Sequence, residues 1–251
     1  MRNRFAAPLV ATLAALALSS VVVAQTPQVP AGGRAPRVRE GLIADGVPKM
    51  PNPPGPAPKQ DLSGAWVGPQ NNKPDPVPPM TPAGMAKFKL AKGYATATAP
   101  GGSDSERASN DPFIICDPLG FPRDLIAHAV SSRGGTLFGS APGRILIAYE
   151  QQRVFREVWM DGRPLPTKID VPGGAESRYY GYSVGRWEGA NPLEIATTGV
   201  DERAWLDEAG HPRSSNAHIQ ERYNRVDQYN MQVTVTVDDP KYYTKPYTFM
   251  K

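Results

Sequence analysis

Between Met231 and Val237 the chain alternates without a break, with Met231, Val233, Val235 and Val237 apolar and Gln232, Thr234 and Thr236 polar. Successive side chains on a strand point to opposite faces, so this period of two predicts a half-buried β-strand. The same alternation runs through Ile145, Ile147 and Tyr149, and a turn at 150–152 leads into a strand from Val154 to Met160 that stops at Asp161-Gly162. Tyr179 to Trp187, Leu193 to Thr198 and Ala217 to Val226 read as further strands, with Glu188 and Gly189 opening the turn between the first two. With Leu62 to Gly68 and Thr136 to Gly139, the strands number about eight. One helix stands out over Thr81 to Lys92: Thr81 is a good N-cap, Pro82 suits the first helical position, Gly93 can terminate it, and Met85, Phe88 and Leu90 form a narrow apolar side. Short strands, one or two short helices and many Gly/Pro turns predict a mainly β fold, an antiparallel β-barrel over 61–251.

The first 60 residues follow a different logic. Arg2 and Arg4 precede an apolar stretch from Phe5 to Val23, and Ala24 ends it in the small-residue manner of a cleavage site, so 1–24 reads as a signal peptide and the mature chain begins at Gln25. The polar Gln25, Thr26 and Pro27 argue against a membrane span, leaving none after cleavage. Residues 25–60 are proline-rich without apolar periodicity and read as an extended linker. The expected location is periplasmic or secreted.

Composition removes several functions. A net charge of +4 in 251 residues, with no long lysine or arginine run, gives no grip for nucleic acid. A single cysteine excludes an internal disulfide, and three scattered histidines exclude a Cys/His zinc module, so neither metal nor cofactor is expected. Cys116 follows Phe113, Ile114 and Ile115, which predicts a buried, unreactive thiol. Ser183 lies in Gly-Tyr-Ser-Val-Gly, the spacing of a nucleophile elbow, but the strand continues past it and the required strand-to-helix turn is missing. Asp161, Glu188, Asp207, Asp238 and Asp239 sit at strand ends, where acidic residues serve turns. His128 reads as a packed histidine in a short helix, and His211 as a loop residue.

The strongest chemistry lies in Ala217 to Val226. Period two places Ile219, Glu221, Tyr223 and Arg225 on one face and His218, Gln220, Arg222 and Asn224 on the other. A carboxylate between apolar neighbours is either locked by an arginine or desolvated as a general acid or base, with His218 as the candidate partner.

The runs Gly181-Tyr182-Ser183-Val184-Gly185-Arg186-Trp187-Glu188-Gly189, Trp205-Leu206-Asp207, Gly210, Pro212, Ser214, Glu221-Arg222, Arg225 to Asp227 and Thr234 to Pro240 resemble a family of secreted bacterial proteins. Asp61 to Gly64, Trp66, Pro79 to Phe88, Cys116 to Pro118, Gly120, Pro122-Arg123, Trp159 and Asp161 to Pro164 extend the resemblance to nearly all of Asp61–Tyr247. The family has no established activity, so the resemblance implies no catalytic residue. It departs at Arg213, where such proteins often carry His, and at the C-terminus, where they usually continue; a poorly anchored end over Tyr242 to Lys251 is therefore expected. The triplet Gly64-Ala65-Trp66 also resembles the start of lipocalin-like barrels.

Small barrels are either packed or hold one small ligand. The strand aromatics Tyr149, Trp159, Tyr180, Tyr182, Trp187 and Tyr223, with Arg225, suit a lumen for a small hydrophobic or aromatic molecule. The leading expectation is an exported lipocalin-like binding protein. Its rivals are a cofactor-independent hydrolase, lyase or isomerase using Glu221 with His218 or a neighbouring arginine, and an envelope interaction protein with a packed barrel.

Overall fold

The alternating segments do become strands. The computed structural model describes residues 54–67, 72–93, 109–126, 135–150 and 152–251. They form β1 (Gly64–Val67), β2 (Gly135–Ala141), β3 (Arg144–Tyr149), β4 (Val154–Trp159), β5 (Tyr182–Trp187), β6 (Leu193–Thr198), β7 (His218–Arg225), β8 (Met231–Asp238) and β9 (Tyr247–Met250). All nine belong to one sheet whose spatial order is the chain order, a curled half-barrel in which β1 and β9 are the two edges. The strand count exceeds the expected eight because the C-terminal segment is a strand. Tyr242, Tyr243, Tyr247, Phe249 and Met250 are all buried there, so this end is anchored rather than loose. Its aromatic residues supply the apolar area that a short terminal strand needs to stay docked.

Every neighbouring pair is antiparallel except β4 and β5, which run parallel and share two registered pairs, Val158↔Ser183 and Trp159↔Val184. The flanking pairs, β3–β4 and β5–β6, each register six. A parallel neighbour needs a crossover rather than a hairpin, and residues 160–181 supply it. Strand β5 accordingly begins at Tyr182, later than the alternation suggested, because Gly181 turns the chain with φ +63°.

One sheet face is buried. Phe138, Ile145, Ile147, Val158, Leu193, Ile195, Ile219, Val235 and Val237 project from it into a common core with Leu62, Phe121, Leu125 and Leu206 from the connections. On β7 the alternation is complete: Ile219, Glu221, Tyr223 and Arg225 point in, and His218, Gln220 and Arg222 are exposed.

Helix α1 (Pro82–Phe88) is shorter than expected but starts as the sequence dictates, with Thr81 Oγ1 accepting from Gly84 N at 3.1 Å. It packs so closely on the chain before β9 that a Cβ on Gly84 would lie 2.2 Å from the Tyr242 carbonyl oxygen, so only glycine fits. A 3₁₀ turn covers Pro112–Ile115, and residues 123–126 are helical. The expected signal peptide, most of the expected linker and His128 lie outside the described residues. The last linker residues, from 54, are bonded to the domain: Gln228 N donates to Gly55 O at 2.9 Å and Gln60 N to Ala190 O at 2.8 Å.

Cys116 is exposed, contrary to expectation. It caps the 3₁₀ turn in the left-handed region, φ 70°, and the turn is too short to carry its apolar residues inward: Ile115 is 77% exposed.

Candidate functional site

The inward-facing polar side chains of β4, β5, β6 and β7 meet in one row. Arg156 on β4 donates from Nε to Ser183 Oγ on β5 at 2.9 Å. Ser183 Oγ and Thr197 Oγ1 on β6 are 2.9 Å apart, and Arg156 Nη2 also reaches Thr197 Oγ1 at 3.0 Å. The guanidinium then crosses to β7, where Nη1 donates to Glu221 Oε2 at 3.0 Å and Nη2 to Oε1. Tyr223 donates its hydroxyl to Glu221 Oε2 at 2.7 Å, and Phe121 lies 3.9 Å beneath the guanidinium carbon. Glu221 is 2% and Arg156 3% exposed.

These environments are set by burial and pairing. Burial opposes the Arg156 charge, but the facing Glu221 carboxylate outweighs it and holds the guanidinium above its ordinary value. Burial pushes the Tyr223 phenol well above its usual range, and the adjacent carboxylate adds to this. Tyr149 is raised by burial too. Its ring stacks on Tyr180 at 5.8 Å, and Tyr180 donates its hydroxyl to Asp124 at 2.7 Å. A second buried arginine, Arg213, has no carboxylate on its donors: they go to the backbone carbonyls of Asp201, Phe121 and Tyr179, and burial pushes its pKa down. That geometry suits a clamp on three connections and not a substrate-binding charge.

Glu221 therefore sits in an arginine lock. His218 is on the opposite, exposed face of β7 and does not join it. Of the aromatic candidates, Tyr149, Tyr180 and Tyr223 gather around this row. Trp159 is on the outer face, between the guanidinium groups of Arg144 at 4.1 Å and Arg163 at 3.6 Å. Tyr182 points outward and donates to Glu176 O, while Trp187 packs half-buried against the core. Arg225 holds the carbonyls of Asp61, Asp227 and Gln228 and faces the Trp66 ring at 5.0 Å. Ser183 is a strand residue whose hydroxyl is consumed by the row, as its continuing strand implied.

Among the described residues, open volumes lie against the sheet on its outer face and on its open side. The outer groove, about 710 Å³, is lined by Arg163, Arg186, Glu194, Gln220, Arg222 and Thr236. Its arginines are already paired, Arg163 with Asp161, Arg186 with Glu194, and Arg222 with Glu188 and Glu194. The other cavity, about 960 Å³, is on the open side of the half-barrel. Strand β9 registers only with Val235, Thr236 and Val237, so Met231 to Thr234 at the start of β8 are left to line this cavity. Trp66 and Val67 of the edge strand β1, Leu125, Phe138, Tyr223 and Met250 complete its apolar part. Thr136 also lines it, and among the described residues its buried Oγ1 has no hydrogen-bond partner.

Only Tyr223 is shared between the sequence candidates and this cavity. The other lining residues were missed because the cavity arises from a register offset between β8 and β9, which no local pattern reports. Arg156 did carry a signal: it sits between Val154 and Val158 on one face of an alternating strand.

Among the described residues, no group of three or more His, Cys, Asp or Glu side chains is placed to hold a metal, and no helix is long and apolar enough to cross a membrane. Compared with known protein families, curated proteins and solved structures, the chain matches none.

Proposed function

We propose that the protein is an exported, lipocalin-like binding protein that holds a small hydrophobic or aromatic molecule on the open side of the half-barrel. The observation that carries this reading is the cavity of about 960 Å³ walled by Trp66, Leu125, Phe138, Tyr223, Val233 and Met250. Such a volume is at the upper end of ordinary small-molecule sites, and its lining is mixed, with Thr136, Gln232, Thr234, Lys73, Asp75 and Lys251 beside the apolar residues. Thr136 offers its unpartnered hydroxyl to one polar atom of the ligand, which would satisfy a group whose isolation otherwise costs stability. The basic head, apolar core and small-residue end of the first 24 residues support export.

An acid–base enzyme built on Glu221 is the weaker reading, because both carboxylate oxygens are engaged by Arg156 and His218 faces away.

The test is displacement of a neutral apolar fluorophore such as Nile red from the purified full chain, with native mass spectrometry for co-purifying molecules. We expect saturable binding by the wild type, and at least a tenfold loss in Val233→Trp, which fills the cavity from a half-buried position. Binding that is absent, or unchanged in Val233→Trp, would overturn the assignment of the ligand to this cavity.

A further inference from the structure

The wall of the large cavity is chemically uneven. Leu125, Phe138, Tyr223, Val233 and Met250 are apolar, whereas Lys73, Asp75 and Lys251 are exposed charged residues on its rim. These three are brought together by backbone pairing along the outer edge of β9: Lys73 N donates to Lys251 O at 2.8 Å and Asp75 N to Thr248 O at 2.8 Å. The Asp75 carboxylate is already occupied, because it accepts from Thr248 N at 2.9 Å, and those hydrogen bonds from Thr248 hold its pKa below the ordinary value. Neither lysine has a carboxylate within salt-bridge distance among the described residues, whose ion pairs lie elsewhere. The rim therefore offers two ammonium groups next to an apolar wall: Lys251 acts on the Asp75 carboxylate only through space, and Lys73 has no carboxylate within salt-bridge distance among the described residues, while the Asp75 side chain is tied to the backbone.

From this juxtaposition we infer that the cavity takes an anionic amphiphile: an apolar chain or ring system lies against Phe138, Tyr223, Val233 and Met250, and a carboxylate or similar anionic head sits at Lys73 and Lys251. The inference rests on the proposed binding function and narrows it to a ligand class. Lys73 is the discriminating cation, since its ammonium stands on a segment otherwise fixed by main-chain bonds. The lysines are exposed, so each contact with the head is a rim contact, worth up to about 1 kcal/mol or roughly fivefold in affinity, and screened by salt.

The experiment compares decanoate, decanol and decyltrimethylammonium as competitors of Nile red on the full chain at low salt. Decanoate should bind about fivefold or more tighter than decanol, and decyltrimethylammonium more weakly than both. The preference for decanoate should shrink in 1 M NaCl. In Lys73→Glu, decanol should bind as in the wild type while the advantage of decanoate is lost. Equal binding of all three compounds, or an advantage of decanoate that persists in Lys73→Glu, would overturn the anionic-head assignment and leave the binding reading standing. Failure of every compound to displace the fluorophore would overturn both.

Discussion

Glu221→Gln is the most informative single substitution. The carboxylate accepts two hydrogen bonds from Arg156 and one from Tyr223, and it is the only acidic side chain bonded to that guanidinium among the described residues. The amide is nearly the same size, so no cavity opens. It removes the negative charge, however, and one of its two ends must turn an N–H toward a donor. Arg156 would keep Ser183, Thr197 and the face of Phe121, none of which carries charge. Breaking a buried pair in this way costs about 3–5 kcal/mol. For a domain of this size each kcal/mol lowers Tm by about 2–4 °C, so the midpoint should fall by roughly 6–20 °C. The paired replacement Arg156→Met with Glu221→Leu removes both charges and leaves Ser183 and Thr197 bonded to one another, so it should recover most of the loss. Urea unfolding followed by tryptophan fluorescence and circular dichroism measures all three free energies. A Glu221→Gln variant within about 1 kcal/mol of wild type, or a double variant no better than the single ones, would refute the lock.

Three further outcomes are expected. Cys116 should react with a maleimide at nearly the rate of a free thiol, and Cys116→Gly should raise stability by about 0.5–1 kcal/mol because glycine tolerates φ 70°; slow labelling or a destabilised variant would contradict this. Tyr243→Phe removes the hydrogen bond to the Pro212 carbonyl at 2.7 Å and should cost about 1–3 kcal/mol in urea unfolding, whereas a loose C-terminus would make it silent. Asp201, Glu202 and Asp207 are partly buried, which raises their pKa values, but Arg203, Lys241 and His211 respectively outweigh burial and depress them. A depressed carboxylate stabilises the fold above its unfolded pKa, and that stability is lost as pH falls through the folded value. Burial raises Asp239, which acts in the opposite sense. The urea midpoint should therefore drop from pH 5 to pH 3, and less steeply in Asp201→Asn.

Much of the architecture was readable residue by residue. On β7 the alternation correctly assigned Ile219, Glu221, Tyr223 and Arg225 to the inner face, because a strand with one buried side fixes its register through its apolar residues. On β9 the alternation of Tyr247 and Phe249 carries the same signal over too few residues to stand out. Cys116 misled because apolar neighbours in sequence imply burial only on an element long enough to have an inner face. The partner of Glu221 was hidden for another reason. Arg156 is 65 residues away on a strand that does not neighbour β7, so only the curl of the sheet brings them together. The large cavity depends on where β9 ends against β8, a property of two registers and not of any residue's type.

The short parallel joint between β4 and β5 divides the sheet into two meanders, β1 to β4 and β5 to β9, each made of antiparallel neighbours along the chain. From β2 to β4 and from β5 to β9, closure links segments near in sequence and is entropically cheap, whereas β1 reaches β2 across residues 68–134 and the joint must wait for the crossover to settle. Two main-chain pairings and the Arg156 row join the two meanders directly across it, beside the common core that both pack against. Native-state hydrogen exchange should therefore resolve two cooperative units, with the amides of Val158 and Ser183 reporting a sub-global separation at lower free energy than the centres of β3 and β7. The row that occupies the interior chemically is then a stitch mechanically, and weakening it should lower the free energy at which the meanders separate.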